Sequence, residues 1–392
     1  MRRNALLGSC LAVVGAAGGC TDTATAPTAP AVPATRALAL RSAAGSLAGP
    51  GVNRARAQLP GLVNERLGGG LTDGIDPSQY QCPPSTPVVD WYRSRVFQFY
   101  EREPSTYSLL YFLDAYNLPA NEALAFGVPG RAAQSYGYTG AYTNVLLRTE
   151  RDAKRFWDIP SADIKMVAMH GTVLVDSARV TRTYEVLYGI PQPWAGYYAS
   201  LARTAVSQSP TLGGGNHPVF TFNAFAFPGY EDATLSIPPT IVMGDGILEG
   251  YAAVGFGDVA PQAVYAHEFG HHIQFANGYF ADPLATTGSA PERTRYTELM
   301  ADAYSAYYLT HKRGAAMNRK RVEQFLEVFF QIGDCGFEYP GHHGTPNQRM
   351  AAARLGFDIA DRAQKQGHIL TSAQFHALFV AAYLRLVAPD AT

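Results

Sequence analysis

The chain has 392 residues, 47% of them hydrophobic, 12% aromatic and 16% charged, which describes a globular protein with an ample core and excludes a disordered or fibrous one. Its 31 basic and 32 acidic residues nearly cancel, and this balance argues against a nucleic-acid binder, which needs clustered Lys and Arg. The densest basic stretch, Lys312, Arg313, Arg319, Lys320 and Arg321, reads as a solvated helix end and loop.

Met1-Arg2-Arg3 and the apolar run from Ala5 to Ala17 have the pattern of a secretory signal, placed at residues 1–19. The run is too short to cross a bilayer, which takes ~20 apolar residues. Its end, Ala17-Gly18-Gly19-Cys20, resembles the lipobox of bacterial lipoproteins. That resemblance implies a lipidated Cys20 and a place in the bacterial cell envelope; ordinary cleavage near Gly19 and soluble secretion is the alternative. Either route exports the protein, and a lipid anchor is the only membrane contact expected.

Residues 20–79 are rich in Ala, Pro, Thr and Gly and read as a disordered tether, since every Phe, Trp and Tyr lies at or after Tyr80. The folded part is therefore expected from residue 80 onward, as a mainly helical N-terminal lobe over 80–210 and a second lobe over 211–392. In the first lobe the spacing predicts helices over 90–103, 143–158 and 162–188, the last stopped by Gly189 and Pro191. His170 then reads as a helix residue with no metal-ligand partner at a useful spacing.

After Gly213-Gly214-Gly215 the texture changes. Val219 to Phe227 and Thr240 to Met243 read as strands of a small sheet, with Gly244-Asp245-Gly246 as a turn. Helices are expected over 262–277, between Pro261 and Gly278, then over 291–311, over 318–332 from the cap Asn318, from Thr345-Pro346 to near Gly367, and over 371–387. The fold class is thus α+β. Two cysteines fall in this folded part, Cys82 and Cys335; in an oxidising compartment they are a candidate disulfide, and two free thiols are the alternative.

The decisive signal is His267-Glu268-Phe269-Gly270-His271 inside the 262–277 helix. Two histidines four apart on a helix share a face with Cβ atoms ~5–6 Å apart, so both imidazoles reach one zinc ion. Glu268 is turned by ~100° from His267 and can serve a metal-bound water as its base. On the next helix Glu298 and Asp302 share a face. Glu298 completes three protein ligands with a fourth position open, and Asp302 can accept the free ring N–H of a ligating histidine. His272 points away from His271 and reads as a supporting residue. Asp245, Glu249 and Asp258 are oxygen ligands by type, but carboxylates near turns usually bind nothing, so calcium is not expected.

These paired motifs resemble a gluzincin-type metallopeptidase. The phrase Ala263-Val264-Tyr265-Ala266-His267-Glu268-Phe269-Gly270-His271-His272-Ile273-Gln274 is similar to the bacterial neutral zinc metallopeptidases. So are Glu298-Leu299-Met300-Ala301-Asp302-Ala303-Tyr304 and His343-Gly344-Thr345-Pro346-Asn347-Gln348-Arg349. Upstream, Asn223-Ala224-Phe225 and Met243-Gly244-Asp245-Gly246 resemble the thermolysin arrangement, in which an edge strand binds extended peptide ahead of the zinc helix.

The resemblance implies a zincin-like fold, with a small sheet carrying the edge strand, an active-site helix and a mainly helical C-terminal lobe. It implies one zinc ion, a peptide or protein substrate, and backbone binding by Asn223 and Ala224. It also places a donor from the His343 loop at the developing oxyanion, with His342 as its competitor. The expected activity is zinc-dependent peptide-bond hydrolysis. A zinc amidohydrolase acting on cell-wall peptides and a non-catalytic zincin-fold binding module are the alternatives.

Overall fold

The computed structural model describes residues 77–390 except 131–133, 232–234, 338, 340 and 366. The expected signal, Cys20 and nearly all of the expected tether lie outside the described residues. The N-terminal part contains α1 (Pro87–Arg102), α2 (Pro104–Phe112), α3 (Leu118–Phe126), α4 (Thr143–Phe156), β1 (Lys165–Met169), α5 (Ser177–Tyr188) and α6 (Trp194–Gln208). Then come β2 (Ala224–Phe227), β3 (Tyr230–Glu231), β4 (Ser236–Ile237), β5 (Thr240–Gly244), α7 (Asp245–Ala253) and α8 (Ala260–Asn277). The chain closes with α9 (Pro283–Thr286), α10 (Ala290–Thr310), α11 (Arg319–Gln331), α12 (Pro346–Lys365) and α13 (Ser372–Leu386).

The protein is α+β and mostly helical, around a small mixed sheet of order β1-β5-β2, with β3 and β4 forming a separate ribbon. β1 runs parallel to β5, pairing Val167 with Val242, and β2 runs antiparallel to it, pairing Phe225 with Val242. Alternation along the strands splits the apolar side chains between two faces. Met166, Ala168, Ile241 and Met243 join the core cluster that contains α8, whereas Val167, Met169, Phe225 and Val242 pack with Ala123 and Leu124 of α3. Both faces of the sheet are therefore covered.

Three sequence expectations are corrected here. The segment 162–188 is not one helix: it is β1, a 3-10 turn over Gly171–Val175, and α5, which Asp176 caps by accepting from the N–H groups of Ala178 and Arg179. A strand buried on both faces reads as a continuous apolar run, which periodicity alone does not separate from a buried helix. Gly171 also meets the backbone of Gly215 so closely that no side chain fits between them. The strand expected over 219–227 is confined to its second half, because Pro218–Phe220 forms a 3-10 turn. Gly244-Asp245-Gly246 is not a free turn, since β5 runs directly into α7.

Helices α2, α3, α6, α7 and α9 were not anticipated. The boundary expected at 210 also falls inside a shared sheet, because β1 pairs with β5, and one core cluster runs from Val88 to Tyr383. The helices expected around Pro261 and Gly278, after Asn318, after Thr345 and after Thr371 stand within two residues of those bounds.

α10 is buried along almost its whole length, between α8 and α12. Glycines make the close packing possible. A Cβ at Gly270 of α8 would stand 3.0 Å from the Cα of Ala301, and one at Gly356 of α12 would collide with the carbonyl oxygen of Ala303. Among the described residues no helix is long and apolar enough to cross a membrane.

Candidate metal centre

α8 begins with Pro261 in its first turn, where a missing N–H costs nothing, and ends at Gly278, whose φ of 72° only glycine adopts freely. Its middle carries His267 and His271 one turn apart, with ring centroids 4.8 Å from each other and planes at 89°. α10 presents Glu298 to both rings. Its Oε2 lies 3.2 Å from Nε2 of His267 and its Oε1 3.4 Å from Nε2 of His271. The close approach at Gly270 and Ala301 puts these donors within reach of one another.

His267, Glu268 and His271 can offer ligand atoms all within 4.8 Å of each other, so this cluster could hold a metal ion. Two carboxylates, Glu268 and Glu298, thus border the histidine pair. Glu298 faces both Nε2 atoms from the opposing helix.

The other ring nitrogens are already engaged. Nδ1 of His267 lies 2.8 Å from Oδ1 of Asp302, and Nδ1 of His271 lies 3.0 Å from Oε1 of Gln274, whose amide donates to the Thr297 carbonyl at 2.7 Å. With Nδ1–H donating, the tautomer leaves the Nε2 lone pair toward the cluster.

Asp302 is fully buried and is gripped by Arg349 of α12, Nε to Oδ2 at 2.8 Å and Nη2 to Oδ1 at 2.7 Å. Burial opposes the charge on His267, yet hydrogen bonds from Asp302 and Glu298 outweigh it and push the imidazole up to about 10 among protein groups alone. Burial also raises the Glu268 carboxyl above its usual range, against the pull of His267 and His271. Glu298 goes the other way: burial would raise it, but the charges of His343 and His271 hold it well below the usual carboxylate range.

A cleft of about 830 Å³ opens onto these groups and includes Glu268, Glu298, His343 and Arg349 in its wall. β2 is its strand border. Gly244 donates to the Asn223 carbonyl at 3.0 Å, so Asn223, Phe225 and Phe227 face β5 with their backbone groups, and the alternate residues Ala224 and Ala226 turn theirs to the free edge. Asn223 lines the cleft and spends its carbonyl within the sheet. Ala224 keeps its edge position.

The structure separates the two neighbouring histidines. His343 lines the cleft, while His342 is fully buried, 2.6 Å from Oδ1 of Asp334 and against the ring of Phe337. Asp334 also accepts the backbone N–H of His343 at 2.7 Å. Burial would raise its carboxyl, but the two histidines hold it far below the usual range. Cys335, the next residue, is joined to Cys82 in a disulfide.

His272 points to the sheet, 3.3 Å from the Thr240 carbonyl, outside the cluster. His170 is not a helix residue: it follows β1, with Nδ1 2.6 Å from Oδ2 of Asp245. Asp245 and Glu249 otherwise take the N–H groups of Gly137 and Tyr138, and Asp258 pairs with Arg321, so these three carboxylates do not converge.

Arg349, Asp334 and Gln274 carry no role in the sequence reading. Arg349 had a signal, since it stands four residues after the cap Thr345, on the first turn of a helix that starts beside His343. Asp334 had none, because nothing in sequence marks a loop acid as a partner for residues eight and nine positions later. Comparison with protein-family models, curated proteins and solved structures gives no match to this chain.

Proposed function

We propose that the protein is a zinc-dependent metallopeptidase with a zincin-like arrangement. The observation that carries this is the convergence of two imidazole Nε2 atoms on Glu298, with a second carboxylate, Glu268, beside them and a free strand edge along the cleft. The donor set suits zinc: two neutral imidazoles and a carboxylate, with an open side toward solvent.

Zinc bound by His267, His271 and Glu298 would supply an acidified water and polarise a peptide carbonyl. The protein groups do the rest. Glu268 accepts the proton of the attacking water and delivers it to the leaving amine nitrogen. His343, held by Asp334, donates to the oxygen that gains charge. Asp302 and Arg349 keep His267 in one orientation and tautomer. Ala224 and Ala226 offer backbone groups to an extended chain, and their small side chains leave it room. This edge supports a peptide substrate over other amides.

The disulfide supports the export reading made from residues 1–20, because such bonds persist in oxidising compartments.

Elemental analysis of the full chain, with hydrolysis of a quenched casein substrate by wild type and Glu268→Gln, tests the proposal. One zinc per chain in both, with turnover lowered ~10²–10⁴-fold in the variant, is the expected result. Zinc without casein cleavage would favour a specialised amide substrate or a binding module, and failure to bind zinc after reconstitution would reject the site.

A further inference from the structure

The cleft residue His343 is held from outside the metal cluster, by a loop tied covalently to the start of the folded chain. Cys335 directly follows Asp334 and is bonded to Cys82, 253 residues earlier, with Cα atoms 5.9 Å apart. Asp334 organises this loop by accepting from Nδ1 of His342 at 2.6 Å and from the backbone N–H groups of His343 and Gly336, each at 2.7 Å. Its own N–H donates to the Gly344 carbonyl at 3.0 Å.

The segment after Cys82 grips the same place. Thr86 Oγ1 donates to the Gln331 carbonyl at 2.6 Å, and Gln331 Oε1 accepts the N–H of Val88 at 3.1 Å. By contrast His267, His271 and Glu298 are positioned by α8 and α10, which the disulfide does not touch. Both cysteines are partly exposed.

We propose that Cys82–Cys335 is a thiol-exchange site that gates catalysis by fixing Asp334 and His343 in the cleft, an inference that rests on the peptidase reading above. In the exchange, a thiolate of an external dithiol attacks one sulfur of the bond. The second external thiolate then resolves the mixed disulfide. The external pair departs as a disulfide, having given up two electrons, and Cys82 and Cys335 take up those electrons with two protons. Without the bond the loop opens locally more often, and His343 leaves the position from which it donates. The chain is then weakly active with its thiols reduced and fully active once oxidised.

The test uses the full chain, assayed oxidised, after reduction with a phosphine, and after reoxidation, with thiols counted by mass spectrometry and zinc by elemental analysis. A reversible fall in kcat of ~10-fold or more is expected, the scale of losing an oxyanion donor's alignment, with KM and zinc content unchanged. The Cys82→Ser/Cys335→Ser variant should match the reduced level, and peptides spanning 333–345 should exchange hydrogen faster while those of α8 do not.

His343→Ala separates positioning from general loss, since in that background reduction should barely alter the rate. Equal rates with both thiols shown free overturn the gate, and so does a loss of zinc or of folding on reduction. If oxidised, zinc-loaded wild type cleaves nothing, it is the peptidase reading that fails; unchanged exchange over 333–345 would then still reject the gate.

Discussion

Arg349 and Asp302 meet through two parallel hydrogen bonds of 2.8 and 2.7 Å, both side chains buried, with Asp302 also at 2.8 Å from the ring of His267. A bidentate guanidinium–carboxylate pair is a strong, directional contact, so Asp302 has no freedom to rotate away from the imidazole. The orientation of His267, a candidate metal ligand on α8, therefore depends on a residue of α12, with α10 between them.

Asp302→Asn keeps the shape and removes the charge that holds the Nδ1 proton of His267. Zinc affinity should fall ~10–100-fold, read by competition with a chromogenic chelator, with little change in fold. Arg349→Met is harsher, because it leaves a buried carboxylate unpaired. It should cost about 3–5 kcal/mol in urea unfolding of the metal-free chain.

Gly270→Val tests the packing that brings the ligands together. With no room beyond 3.0 Å before the Cα of Ala301, the new side chain forces α8 and α10 apart. The expected outcome is destabilisation by roughly 1–3 kcal/mol and loss of stoichiometric zinc in elemental analysis, although no ligand is altered.

Metal removal should lower stability as well as activity. A ligand at 100 times its dissociation constant adds about 2.7 kcal/mol to unfolding, so excess chelator should shift the thermal midpoint down by several degrees. Glu298→Gln, which weakens the third ligand, should abolish the difference between zinc-loaded and chelated samples. A shift that survives this substitution would place the metal elsewhere.

Acid should unfold the protein partly through a histidine that does not line the cleft. His217 is buried and its Nδ1 accepts the N–H of Val219 at 3.2 Å; burial, helped by the charge of Arg95, pushes its pKa down to about 4. Below an unfolded value near 6.5 the unfolded chain binds the proton first, so this stabilisation is complete above about pH 6.5 and is lost as pH falls toward 4. The loss from this one group is up to about 3 kcal/mol. His217→Gln should show a shallower fall in urea stability between pH 7 and 4.5 than wild type.

The candidate ligands were legible because their signal is local. His267 and His271 are one helical turn apart in any α-helix, and Glu298 and Asp302 likewise, so spacing alone puts each pair on one face. Caps were legible for the same reason: Asn318, expected as a cap, does accept the N–H of Arg321. β1 was not legible, since its five residues lie between covered faces and lack the alternation that marks a half-exposed strand. That the Asn223 carbonyl is used within the sheet was not legible, because it follows from a register that only β5 sets.

By itself, then, the sequence determined what short-range geometry controls: the two helices that carry the candidate ligands, their ends, and which side chains each turns to a common side. The tertiary structure alone decided that Arg349 reaches Asp302, that Asp334 takes both His342 and His343, that only His343 faces the cleft, and that Cys82 closes on Cys335. These depend on contacts between segments brought together by burial of apolar surface, a force without direction whose outcome is set by the packing of the whole chain rather than by any spacing along it.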